Sequence, residues 1–254
     1  MRLLVWNNGT VVEASDFRFE HPYVMQRIHT LGYTPYNLPR HLLLMREASE
    51  HLFGFASLCR AEDAERIISK LLSLSRVSST LSVPVVMRLD AVGNLSFEVE
   101  NPIYSSGAYL RAKRFAAATM ELPVVEVQTP TSATEAMDDM ARAQVAVQGG
   151  ELLLATTRDE VVVGRPWSPV FVVYNGVIYT SCEYDTVEYH AARMAIAKSN
   201  IELVVRPVPC SALERMEEIF VVDIMGVSSC STIKEHRLLS AVASRVADRM
   251  EPKP

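Results

Sequence analysis

The sequence predicts an α/β (α+β) protein in two domains, and three observations carry that prediction. Short apolar runs of strand type alternate with segments of helical period along the whole chain. Gly/Asn turn pairs separate several of the runs, as hairpins require. Composition shifts to turn-formers at Asn101-Pro102 and Ser105-Ser106-Gly107, which places a boundary between a smaller first domain, 1–104, and a larger second one, 105–254. A chain of 254 residues has room for two modest cores.

In the first domain, 3–6 and 11–13 flank Asn7-Asn8-Gly9-Thr10, a hairpin whose Asn and Gly tolerate positive φ. Residues 38–53 have helical spacing, with Asn37 at the N-cap, Pro39 in the first turn and Gly54 past the end. Residues 61–74 form a second amphipathic helix with Ile67, Ile68, Leu71 and Leu72 on one face. Strands at 83–89 and 95–100 flank Gly93-Asn94. In the second domain, strands are expected at 109–115 and 124–128, then a helix at 134–147 closed by Gly149-Gly150. Short strands follow at 152–155 and 161–163, and 170–174 pairs with 177–180 across Asn175-Gly176. A helix at 185–199, strands at 201–208 and 219–223, a terminal helix at 236–250 and a frayed 251–254 complete the chain.

Composition narrows the function classes. Hydrophobic residues make up 49% and charged residues 22%, ordinary values for a globular chain. The net charge of −5 lacks the concentrated cations a nucleic acid needs, so no nucleic-acid partner is expected. No run approaches the roughly 20 apolar residues that span a bilayer, and the N-terminal stretch is too short for a signal peptide. Four scattered cysteines without a C-x-x-C predict reduced thiols and a cytoplasmic protein. Six histidines without H-x-x-x-H or H-x-H give no metal site.

Four stretches, in order, carry a family resemblance. Met25-Gln26-Arg27-Ile28 with Gly32 stands where the family reads F-E-T-I ahead of a glycine, and His41-Leu42-Leu43-Leu44-Met45 takes the place of H-L-x-R-L. Val170 to Thr180 is similar to N-V-F-x-V-x-x-G-x-L-Y-T, and Glu218-Ile219-Phe220-Val221-Val222 with Gly226-Val227 to E-V-F-x-T and its turn. The chain thus resembles the class-IV (fold-type IV) aminotransferases, which include branched-chain and D-amino-acid aminotransferases and aminodeoxychorismate lyase. The resemblance implies a small and a larger α/β domain, pyridoxal phosphate between them, and a homodimer.

It also exposes what the sequence does not supply. The family's Schiff-base lysine lies a fixed distance ahead of a glutamate that faces the pyridine nitrogen. The glutamate's place is Gly164, and counting back by that spacing lands on Pro130 or Thr131. The five lysines are Lys70, Lys113, Lys198, Lys234 and Lys253, none of them there. The phosphate-binding arginine is replaced by Leu44, with Arg46 on another side of the helix. Where a helix N-terminus would receive the phosphate, Asp185-Thr186-Val187-Glu188 reads as a capping box, two anions that repel one.

The expectation is therefore an aminotransferase-like homodimer with no cofactor and no transamination, acting as a binding or structural protein. The alternative is an active pyridoxal-phosphate enzyme, transaminase or lyase, with displaced residues. Lys113 is its candidate Schiff-base amine, against the plainer reading of a solvated strand edge. Arg165, Ser228 and Ser229 are candidates for holding a small anionic metabolite or the cofactor, the serines as part of a late turn at 226–229. Trp167 beside Arg165 suits a pocket wall or a subunit contact, and His41 a core or capping role.

Overall fold

The computed structural model describes residues 1–78, 80–102 and 111–250, with side chains from 115 onward in the last stretch. It is an α+β structure whose chain divides into two compact units. Unit 1 comprises Met1–Ala108 with a returning segment, Val127–Glu135; unit 2 comprises Tyr109–Glu126 and Ala136–Pro254. The boundary expected between 104 and 105 lies outside the described residues, as does the 251–254 tail.

Unit 1 is an antiparallel sheet covered by two helices. Its strands are β1 (Leu4–Asn7), β2 (Thr10–Glu13), β3 (Tyr23–Leu31), β4 (Thr34–Pro35), β5 (Ser82–Asp90) and β6 (Leu95–Val99), in the order β2-β1-β6-β5-β3-β4. The helices are α1 (Leu38–Phe53) and α2 (Ala61–Leu74), both as the periodicity predicts. Asn37 takes the N-cap position of α1 at φ +52, but its side chain makes no capping bond. Alternate residues of β3 and β5 (Val24 and Ile28; Val85, Met87 and Leu89) meet Met45, Ile68 and Leu72 of the helices in one core. Each such fully buried aliphatic side chain contributes about 1.5–3 kcal/mol.

Unit 2 carries a mixed sheet. Its strands are β7 (Arg111–Glu121), β8 (Leu152–Thr156), β9 (Gly164–Arg165), β10 (Ser168–Tyr174), β11 (Val177–Thr180), β12 (Leu203–Val205), β13 (Glu218–Asp223), β14 (Gly226–Ile233) and β15 (His236–Arg237). The main path runs β12-β11-β10-β13-β14-β7-β8, with β15 on β14 and β9 on β10. The helices are α3 (Ser132–Val147), which begins in the returning segment, α4 (Val187–Lys198) and α5 (Ala241–Met250). Period-2 alternation splits β10: Phe171 and Val173 pack with Tyr189 and Val246, while Val170 and Val172 pack with Leu213 and Val208.

Several expectations are corrected. Residues 124–128 are not a strand: Pro123 supplies no amide, Val124 is exposed, and the segment connects β7 to α3. Of residues 161–163, Val161 and Val162 make only isolated bridges and Val163 makes none. The strand expected over 201–208 shrinks to β12 because Pro207 and Pro209 end its ladder. The terminal helix starts at Ala241, since His236 and Arg237 pair with Ile233 and Thr232. Its first turn is held by buried Glu218, whose two carboxylate oxygens accept from the Val242 and Ala243 amides at 2.9 Å each. Residues 226–229 are not a turn but the start of β14, the turn itself being at Ile224-Met225.

Candidate functional site

In unit 1 the returning segment lies along the start of β3, on the edge that β4 leaves open. The Met25 amide donates to Pro130 O at 2.8 Å, and Val24 bridges Thr131. Thr131 then caps α3: its hydroxyl accepts from the Thr134 amide at 3.1 Å, and the Thr131 amide donates to Thr134 Oγ1 at 2.8 Å. Tyr23 Oη donates to Glu135 at 2.8 Å, and Arg27 bridges Glu135 and Glu100 at 3.2 and 3.4 Å. Both residues that the family spacing assigns to the lysine, Pro130 and Thr131, are thereby built into the backbone that closes this edge.

Beneath them runs a buried polar chain. Thr129 Oγ1 donates to Leu44 O at 3.2 Å and accepts from Gln26 Nε2 at 3.2 Å, and Gln26 Oε1 meets His41 Nδ1 at 2.7 Å. Because Gln26 offers its oxygen, the facing ring nitrogen of His41 carries the proton. Burial, with His29 nearby, pushes His41 down to about 3; burial alone takes His29 to about 4. His41 is thus a neutral core residue. Leu44 is buried on α1 and Arg46 is exposed.

In unit 2, Gly164 opens the β9–β10 hairpin at φ +69, a left-handed conformation that glycine adopts without cost. A Cβ built there would meet Ser168 O at 2.7 Å, Val170 N at 2.9 Å and Val170 Cγ2 at 2.9 Å. The hairpin is pinned around it: Tyr184 Oη donates to Val163 O at 2.9 Å, and Thr186 Oγ1 to Pro166 O at 2.6 Å. Arg165 is buried; its Nε donates to Asp138 Oδ1 at 2.9 Å and its Nη1 to Pro123 O at 2.8 Å, while its carbon Cζ lies 5.8 Å from the Trp167 ring centroid.

Asp138 was not singled out by sequence reasoning, yet a signal was there. It shares a face of α3 with Thr134, Ala141 and Val145, all buried, and a lone carboxylate on such a stripe demands a cation.

The N-terminus of α4 differs from the expected capping box. Thr186 is the N-cap and accepts from the Tyr189 amide at 3.4 Å, while Asp185 instead meets His190 Nε2 at 2.7 Å. Glu188 is left in the first turn, where burial, reinforced by Asp223, pushes its carboxyl up to about 7.

Ser228 and Ser229 stand opposite Val221 and Phe220 on β13. Val221 and Phe220 belong to the two different cores of unit 2, so the two hydroxyls leave the sheet on opposite faces and do not converge. Lys113 falls on β7, where its side chain lies outside the described residues; the other lysines whose side chains are described, Lys70, Lys198 and Lys234, are exposed. Among the described residues no cluster of three or more His, Cys, Asp or Glu could hold a metal, and no helix is long and apolar enough to cross a membrane.

Comparison with solved structures identifies the fold. The chain is similar to a branched-chain aminotransferase from the archaeon Thermoproteus uzoniensis, with a TM-score of 0.80 at 15% identity over 98% of this chain and 94% of that one. It is equally similar to a putative branched-chain amino acid aminotransferase from Thermotoga maritima, with a TM-score of 0.81 at 14% identity over 98% and 95%. An aminotransferase from Brucella abortus bound to the cofactor PLP also gives a TM-score of 0.81 at 14% identity, over 98% of both chains. No protein-family model matches the sequence, and a search of curated proteins finds no match. The fold is that of the fold-type IV, class-IV aminotransferases, as the sequence motifs imply.

Proposed function

We propose that this chain is a non-catalytic protein on the fold-type IV aminotransferase scaffold, a cytoplasmic homodimer that binds or assembles rather than transaminates. The observation that carries the proposal is Gly164. At the position aligned with the pyridine-facing carboxylate, φ is +69 and a Cβ would lie 2.7 Å from a backbone oxygen. A glutamate there requires the hairpin itself to move. The rest of the donor set agrees: Thr131 caps α3 in the lysine's place, Leu44 is buried in the arginine's, and the hydroxyls of Ser228 and Ser229 diverge. These residues do not fit pyridoxal phosphate. Four free cysteines suit a reducing compartment.

The test is spectroscopic and catalytic together. Purified protein titrated with pyridoxal phosphate is expected to show no saturable visible absorbance beyond that of the free coenzyme, and no keto acid on addition of amino donors. A saturating band that an amino acid bleaches would overturn the proposal and restore the active-enzyme reading.

A further inference from the structure

Unit 2 contains a cavity of about 590 Å³ that plays no part in the reading above. Its floor is apolar and closely packed. Ala117 of β7, Leu213 and Ile233, members of one buried core, form it, while Ala118 faces Gly150, where a Cβ would stand 3.1 Å from the Ala118 Cβ. Beside it β14 shifts register against β7 between Cys230 and Thr232.

The rim is polar and unevenly charged. Lys234 Nζ donates to Glu214 Oε1 at 2.6 Å, so these two cancel. Glu160, held at φ +55, keeps its loop in place by accepting the Cys210 amide at its carbonyl oxygen at 2.7 Å. Its carboxylate has no ion-pair partner among the described residues. The Cys210 thiol is neutral, held up first by burial and then by Glu160. Two carboxylates, one ammonium and a neutral thiol leave one uncompensated negative charge above a hydrocarbon floor. The volume falls in the range of about 300–1,000 Å³ typical of small-molecule sites.

We infer that this cavity binds a small organic cation, an ammonium or guanidinium on a short aliphatic body, with Glu160 as counter-ion and the floor of Ala117, Leu213 and Ile233 taking the hydrocarbon. Calorimetric titration with n-butylammonium, n-butylguanidinium and butyrate tests this on the intact chain. Saturable binding of the two cations and none of butyrate is expected. Glu160→Gln is expected to weaken the cations severalfold, the loss of an exposed charge-assisted contact. Lys234→Gln is expected to tighten them severalfold, since it frees Glu214; a merely structural lysine would not shift affinity in that direction. Thermal melts of both variants, whose substituted residues are exposed, establish that each is folded. Failure of both cations to bind the unmodified protein, equal binding of butyrate, or an affinity indifferent to Glu160→Gln would each overturn the inference. None of these outcomes depends on whether pyridoxal phosphate binds.

Discussion

At Gly164 the backbone leaves no space for a side chain, and the left-handed φ adds strain to any attempt to place one. Gly164→Ala is therefore expected to lower unfolding free energy by about 1–3 kcal/mol, and Gly164→Glu by more, as read from denaturant midpoints. Next door, Arg165 and Asp138 form an ion pair whose side chains are 6% and 4% exposed. At that depth the removal of one partner strands the other's charge. Asp138→Ala is expected to cost about 3–5 kcal/mol, whereas replacing the pair together by Met and Leu costs far less. A double-mutant cycle on unfolding free energy measures this, and additive losses would contradict it. Both residues show why a motif reading stops short. Arg165 looks free to meet an anion in sequence, and only the fold brings Asp138 to it.

Local elements were legible where their signals are local. The helices α1 and α2 and the β10–β11 hairpin follow from period and turn chemistry alone, with Asn175-Gly176 setting the turn. Elements fixed by distant partners were not. The strand β3 went unread because Gln26, Arg27 and His29 interrupt its apolar pattern, each answered by a residue remote in sequence. The start of α5 depends on Glu218, and β14 hides its strand character behind Gly226-Val227-Ser228-Ser229. At α4 the capping box expected on Asp185 gives way to Thr186 as cap, a choice supported by the tie from Thr186 to Pro166. That choice leaves Glu188 with a carboxyl near 7, raised by burial and by Asp223. The folded state then holds a proton that the unfolded chain has already lost, so stability falls as pH rises from about 4.5 to about 7. Glu188→Gln is expected to stabilise the protein by on the order of 1 kcal/mol at pH 8 and not at all below pH 4, measured by urea unfolding at both.

Across the whole chain, the two histidines with lowered pKa, His29 and His41, both lie in unit 1. Each is neutral when folded and charged when unfolded over the interval from 6.5 down to about 4 and about 3 respectively. In that interval the unfolded state binds the extra protons, so unit 1 loses about 1.4 kcal/mol per pH unit for each histidine as pH falls. Each unit has one tryptophan, Trp6 in the first and Trp167 in the second. Fluorescence of the Trp167→Phe variant is therefore expected to report acid unfolding at higher pH than that of Trp6→Phe; coincident transitions would contradict this. The broad architecture was readable because motif order survives when individual motifs erode. The candidate site was readable only as departures from the family's motifs, since the roles of Thr131, Leu44 and Gly164 in the fold are capping and packing, which a motif cannot specify.

The most direct test is chemical. After incubation with pyridoxal phosphate, the protein is reduced with borohydride and its peptides are mapped by mass. No lysine is predicted to carry the phosphopyridoxyl group in stoichiometric yield. One lysine modified to completion, Lys113 above all, would contradict the account.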